Sequence, residues 1–306
     1  MIDLKVWYIT KKNVKEKLKN LGSMFWTVAF PIMMLLVYKL AFSEEGGESM
    51  INGLTAFDVE FPGIVVYTIG MSSVTSAVMF AMSKVDGTLE RIDTFPVSRG
   101  NVFLGAVLSE TIFMNLQLIL VFGFGYGILG AHFELAMLPL GYLIAMIFGI
   151  GAIGLGLIIA SFLNSPEGAN GIAMLSHMTL MFVSGSFFPL DNAGVFFTPQ
   201  YWVKQVYLQL TVVGNSFSDL MYSGSIILPT SEASIFPIWS GILIILAFTS
   251  TFIFLGVKIF FKFLYLLKID LSRFFFFLIS IIHVCSKSVK ILKGITIIDF
   301  YIPFLN

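Results

Sequence analysis

Apolar and polar residues alternate along this chain on the scale of whole helices rather than single turns. Six mostly apolar stretches, at residues 23–42, 61–83, 102–130, 135–163, 169–190 and 234–261, are separated by polar runs. Each is long enough for a helix to cross a hydrocarbon layer of ~30 Å. Ahead of them, Leu4, Trp7, Tyr8, Val14, Leu18 and Leu21 recur at helical spacing, while Lys5, Lys11, Lys12, Lys15, Lys17 and Lys19 dominate the remaining face. That pattern predicts an amphipathic helix over residues 1–22, lying on an anionic membrane surface. The fold class predicted is therefore an all-α integral membrane protein, with an N-terminal interfacial helix followed by six transmembrane helices.

Two segments fall outside this alternation. Residues 191–233 are too long for a bare connection. They carry an aromatic-rich patch of Phe196, Phe197, Tyr201, Trp202 and Tyr207. Trp and Tyr prefer the bilayer interface, so this segment predicts one or two short re-entrant helices in the outer leaflet, their backbone covered by protein or water. Residues 262–306 form a tail whose apolar run, 274–285, is too short to span alone. An interfacial or cytoplasmic helix is favoured there over a seventh span.

Charge sets the orientation. The N-terminal segment holds six lysines, and the loop after the second span holds Lys84, Arg91 and Arg99. The tail adds Lys258, Lys262, Lys268, Arg273, Lys287, Lys290 and Lys293. The loop after the first span carries Glu44, Glu45, Glu48, Asp58 and Glu60 without a base, and the other outer segments offer only Lys204. Basic residues gather on the cytoplasmic side. Six spans with both termini in the cytoplasm satisfy this asymmetry, and a multi-pass plasma-membrane protein is expected.

Composition agrees with that reading. Only 12% of the 306 residues are charged, against roughly 25% in ordinary soluble domains. The 33 Phe and 27 Gly suit a lipid-embedded bundle, in which small residues let helices approach closely. With a single cysteine, Cys285, no internal disulfide is possible. The length of the first apolar segment and the basic region before it argue against a cleavable signal peptide.

Between the second and third spans lies KVDGTLERIDTFPVSRGNVFLG, the only substantial run of mixed charge between two long apolar segments. Asp86-Gly87 ends the preceding helix, and Thr88 to Phe95 can form a short helix stopped by Pro96. Ser98 can cap the helix that follows. Spacing alone fits a plain polar loop equally well. The run Gly87, Thr88, Leu89, Glu90, Arg91, then Pro96, Val97, Ser98 and Arg99, resembles the loop between the second and third spans in permeases of type-2 ABC exporters. Ser184 to Gly194, SGSFFPLDNAG, is similar to that family's ending to the fifth span. The resemblance covers residues 21–261.

The resemblance implies several things that spacing does not. The segment would be a coupling helix, with Gly87, Thr88, Leu89, Glu90, Arg91, Ile92, Phe95, Pro96 and Arg99 meeting an ABC ATPase subunit. Two copies of that ATPase, carrying ATP and magnesium, and a second permease chain would complete the assembly. Phe187, Phe188, Pro189, Tyr201 and Trp202 would belong to an outer gate. The expected function is the transmembrane permease subunit of an ATP-driven exporter for an amphipathic or lipid-like substrate such as a drug, antibiotic, lipid or glycan. Membrane lipid is an expected partner and nucleic acid is not.

Other chemistry finds little footing. No phosphate-binding GxxxxGK[ST] loop occurs, so ATP hydrolysis is expected on a separate chain and no cofactor in this one. His132, His177 and His283 are far apart, so no metal site is expected. Gly125, Gly127, Gly130 and Gly149, Gly151, Gly154 match a dinucleotide-binding spacing, but neither set follows a strand. Helix packing explains them better, through the small-residue steps Gly141, Ala145, Gly149 and Ala152, Gly156, Ala160, and the pair Gly123 and Gly127. Glu110, Asn115 and Gln117 in the third span and His177 in the fifth are candidates for a translocation path, because buried polar groups in lipid usually face protein or water. For Glu110 a bond to a neighbouring helix near the inner interface is the favoured reading. A stand-alone secondary transporter or flippase is the rival; it would usually show midplane ionisable groups and broken helices.

Overall fold

The structure is a computed structural model that describes residues 4–19, 22, 25–43, 54–86, 99–163, 165–187, 193–215, 219–222 and 233–263. Two units divide the chain, Met1–Tyr265 and Leu266–Asn306, and everything described belongs to the first. The expectations for the tail after residue 263 lie outside the described residues.

Eight helices carry the described fold: α1 (Leu4–Lys19), α2 (Phe30–Ser43), α3 (Ala56–Val85), α4 (Arg99–Gly127), α5 (Leu138–Phe162), α6 (Pro166–Val183), α7 (Pro199–Tyr207) and α8 (Ile238–Phe263). A wide π-type turn, Phe25–Ala29, leads into α2, where Pro31 supplies no amide proton to the helix ladder. A second such turn, Leu208–Val212, extends α7. Four helices, Ala56–Val85, Asn101–Gly127, Leu138–Phe162 and Ile238–Ile259, are long and apolar enough to cross a membrane. The chain is thus a helical, multi-pass membrane protein. The first and fifth predicted spans appear as a 14-residue and an 18-residue helix, the latter opening on the polar run PEGAN.

Among the described residues, the regular structure is helical apart from one short antiparallel pair, β1 (Leu220–Tyr222) with β2 (Ala233–Pro237). β1 lies in the segment read from sequence as short helices alone, and β2 takes the first residues of the stretch read as the sixth span. Pro237 closes β2, and α8 begins at the next residue.

Helix α3 is the hub of the bundle, packing on α2, α4, α5 and α6. It starts at Ala56 rather than at 61 because Thr55 and Asp58 form a capping box. Asp58 also accepts the His132 amide at 2.7 Å, which ties the loop after α4 to the start of α3. Asp58 and Glu60, read from sequence as part of an acidic outer loop, are therefore buried helix residues.

Backbones approach most closely where the small residues fall. A Cβ at Gly156 would sit 2.0 Å from the Ser76 hydroxyl and 2.4 Å from the Ser73 carbonyl, so α3 and α5 meet at a distance that excludes any side chain there. Ser72 and Ser76 donate across the same seam to the Gly149 and Ile153 carbonyls. On the opposite face of α5, Gly154 meets the backbone of α8 at Phe252 and Ile253. Gly123 and Gly127 behave differently: among the described residues nothing lies within 4 Å of a Cβ at either, and Gly125 between them packs on the Phe61 ring instead.

Candidate functional site

At one end of the bundle α1 lies against the first turns of α4. Its apolar edge buries Val6, while Trp7 and Tyr8 remain exposed. The Thr10 hydroxyl donates to the Gly105 carbonyl at 3.2 Å, and a Cβ at Gly105 would come within 2.8 Å of Ile9. Lys17 reaches back to form an ion pair with Glu110, and its ammonium stands 5.4 Å from the centre of the Phe113 ring. Glu110, 1% exposed, also accepts the Thr75 hydroxyl of α3 at 2.8 Å. One carboxylate therefore joins α1, α3 and α4. It lies inside the chain, bonded to two neighbouring helices.

The same end holds the last turn of α3. Lys84 donates from its ammonium to the carbonyls of Ala160 at 2.9 Å, Ser161 at 3.2 Å and Leu163 at 2.9 Å, which close α5. The coupling candidates Gly87, Thr88, Leu89, Glu90, Arg91, Ile92, Phe95 and Pro96 lie outside the described residues. Arg99 is the first residue of α4, and its side chain is likewise outside them. What is described is the frame: α3 leads into the charged segment and α4 leads out of it, beside the lysine-rich α1.

The other path candidates do not gather at one point. Asn115 donates to the Thr111 carbonyl at 2.7 Å on its own helix and accepts the Tyr142 hydroxyl of α5. Gln117 is buried. His177 lies on a different side of α3, its ring pressed on Gly70 and 5.1 Å from the Tyr67 ring. It lines a crevice with Gly70, Ser73, Phe148, Ala152 and Gln200, with room for about one water. His177 Nε2 and Gln200 Oε1 are buried there without a hydrogen-bond partner among the described residues.

At the opposite end, α7 is drawn into the bundle. Lys204 pairs with Glu60 of α3 at 2.8 Å and donates to the Gly185 carbonyl at 3.0 Å; both charged groups are buried. A Cβ at Gly63 would fall 2.0 Å from the Ser186 carbonyl, so the turn after α6 touches the α3 backbone. Gly185 makes that turn at φ +67°, a conformation glycine adopts without strain. The Tyr38 hydroxyl donates to the Phe187 carbonyl, which brings α2 into the same knot. Of the outer-gate candidates, Phe187, Tyr201 and Trp202 are buried, and Trp202 donates its indole N–H to the Phe196 carbonyl at 2.8 Å. Phe188 and Pro189 lie outside the described residues.

Sequence reasoning missed Lys17, Lys84, Glu60 and Lys204 as paired groups. Lys204 did carry a signal, as the only base among the proposed outer segments.

A multi-pass helical membrane domain is the class these helices define. Residues 5–217 match the family described as ABC-2 type transporter, and the chain belongs to it. The matched region runs from α1 through the turn after α7 and stops short of α8. The chain is also similar to the "Probable multidrug ABC transporter permease YbhR" of Escherichia coli strain K12 and to its namesake in Escherichia coli O157:H7. Each is 26% identical over 170 residues, covering 51% of this chain and 46% of the relative. The chain thus matches less than half the length of those relatives.

Proposed function

We propose that this chain is the membrane-spanning subunit of an ATP-driven exporter. It works as one of two permease chains with two ABC ATPase subunits at the cytoplasmic face, in six spans with both termini inside. ATP and magnesium belong to the partner, and the cargo is amphipathic or lipid-like. The observation that carries the reading is the helical pair α3 and α4, two long apolar helices that frame the charged segment 87–98 beside a basic amphipathic helix. On this reading the charged segment meets a soluble partner and passes force into α3 and α4. Weakly charged, aromatic spans suit a cargo with a large apolar part better than a bare ion.

The segment itself provides the test. Leu89, Ile92 and Phe95 recur at three-residue steps and form one apolar edge if the segment is helical. Aspartate at Leu89 puts an unpaired charge into any groove that edge fills. Leu89→Asp should leave the permease inserted in the membrane and abolish pull-down of the ATPase chain, identified beforehand by copurification and its Walker motifs. Normal pull-down by an inserted Leu89→Asp protein sinks the coupling assignment. A wild-type preparation that transports with no ATPase chain present favours the stand-alone transporter instead.

A further inference from the structure

The segment 87–98 joins the bundle through two stems, the last turn of α3 and the first turn of α4. Lys84 sits on the first stem, three positions before Gly87. An ammonium carries three N–H donors, and here each has a main-chain carbonyl at the end of α5: Ala160, Ser161 and Leu163. Carbonyls in the last turn of a helix lack amide partners of their own, and the dipole there favours a cation. Two residues past Leu163, the Ser165 hydroxyl accepts the Gly168 amide at 3.0 Å and starts α6. One side chain on the stem therefore holds the end of α5, two residues before the Ser165 that caps α6.

Geometry separates this contact from ordinary packing. Apolar seams between helices allow small axial slides, because dispersion contacts are non-directional and easily re-formed. Three hydrogen bonds from one ammonium to three carbonyls have a single register. Displacement of the stem along its axis breaks them unless the end of α5 follows.

We propose that Lys84 is a positioning residue that makes the end of α5, and with it the connection to α6, move with the coupling stem. The proposal rests on the coupling reading above and adds to it a second connection, which that reading does not involve. It assigns Lys84 no contact with cargo or nucleotide.

The test uses the full-length permease in proteoliposomes with its copurifying ATPase, as wild type, Lys84→Met and Lys84→Arg. Methionine keeps the length and apolar stem without the donors, and arginine restores donors and charge. Amide exchange over residues 157–168 should be about tenfold faster in Lys84→Met, as expected for losing hydrogen bonds to a charged group at a helix end, and close to wild type in Lys84→Arg. ATPase pull-down should be unchanged in both. Cargo moved per ATP hydrolysed should fall severalfold in Lys84→Met and recover in Lys84→Arg.

Unchanged exchange in Lys84→Met overturns the tie itself, with or without a partner. Faster exchange with normal transport per ATP overturns the transmission role. Loss of pull-down in Lys84→Met overturns it as well, because the residue would then act in assembly. If Lys84→Met fails to accumulate in the membrane, Lys84→Leu replaces it, with faster exchange supporting the tie and unchanged exchange overturning it. Failure of the coupling reading is read separately, from intact pull-down by Leu89→Asp.

Discussion

Lys204→Met tests how the end of the bundle opposite α1 is held. Lys204 and Glu60 are both buried, 2.8 Å apart, and the ammonium also serves the Gly185 carbonyl. Removing the cation alone leaves the Glu60 carboxylate without its counter-charge and the Gly185 carbonyl without that donor. Breaking a buried pair from one side costs about 3–5 kcal/mol, whereas replacing both charges with neutral groups of similar volume is often close to neutral. Glu60→Gln combined with Lys204→Met should therefore recover much of the loss, giving a coupling energy of about 2–4 kcal/mol in a double-mutant cycle. At roughly 2–4 °C per kcal/mol for a chain of this size, Lys204→Met should melt roughly 6–20 °C below wild type, with the double variant regaining at least half. The assay is thermal loss of the monodisperse peak of detergent-purified protein, with all four members of the cycle run together. If the double variant is as unstable as Lys204→Met, or if Lys204→Met melts like wild type, the pair does not hold α7 to α3.

Three further outcomes are expected. Gly156→Leu forces a side chain into a space bounded by Ser76 and the Ser73 carbonyl; overpacking of about 1–3 kcal/mol or more should lower membrane accumulation, while Gly123→Leu, facing open space, should accumulate like wild type. Trp202→Ala removes a buried indole that donates to Phe196; export should drop more than ATPase assembly, and lost assembly with normal transport by the assembled fraction would refute an outer-gate role. Cysteines placed at Glu48 and at Thr88 should react with impermeant thiol reagents from opposite sides of the membrane, and labelling of both from outside would refute the six-span orientation.

The helical membrane class was legible from hydropathy alone because lipid imposes one rule on every spanning segment: backbone groups must be satisfied within the segment, so long apolar runs become helices. That rule located α3, α4, α5 and α8 to within a few residues. It said less about the fifth stretch, where the polar start at Pro166 and the turn at Gly185 leave an 18-residue helix. The small-residue steps on α5 marked a helix–helix seam because close backbone approach requires such residues wherever it occurs. The same signal at Gly123 and Gly127 pointed to no neighbour among the described residues, since spacing records which residues permit approach and not which face has a partner.

The charged residues divide along the same line. Sequence determined that bases gather at the ends of the chain and in the run from Lys84 to Arg99, a one-dimensional property that lipid and membrane potential act on directly. Only the tertiary structure decided that Lys84 closes α5, that Lys17 meets Glu110, and that Glu60 leaves the acidic loop to pair with Lys204. These partners lie 76, 93 and 144 positions apart along the chain. No local pattern encodes such distances, because each pair forms only after helices from different parts of the sequence have packed together. Once packed, a buried charge in a low-dielectric interior needs a partner, and the fold determines which one lies within reach.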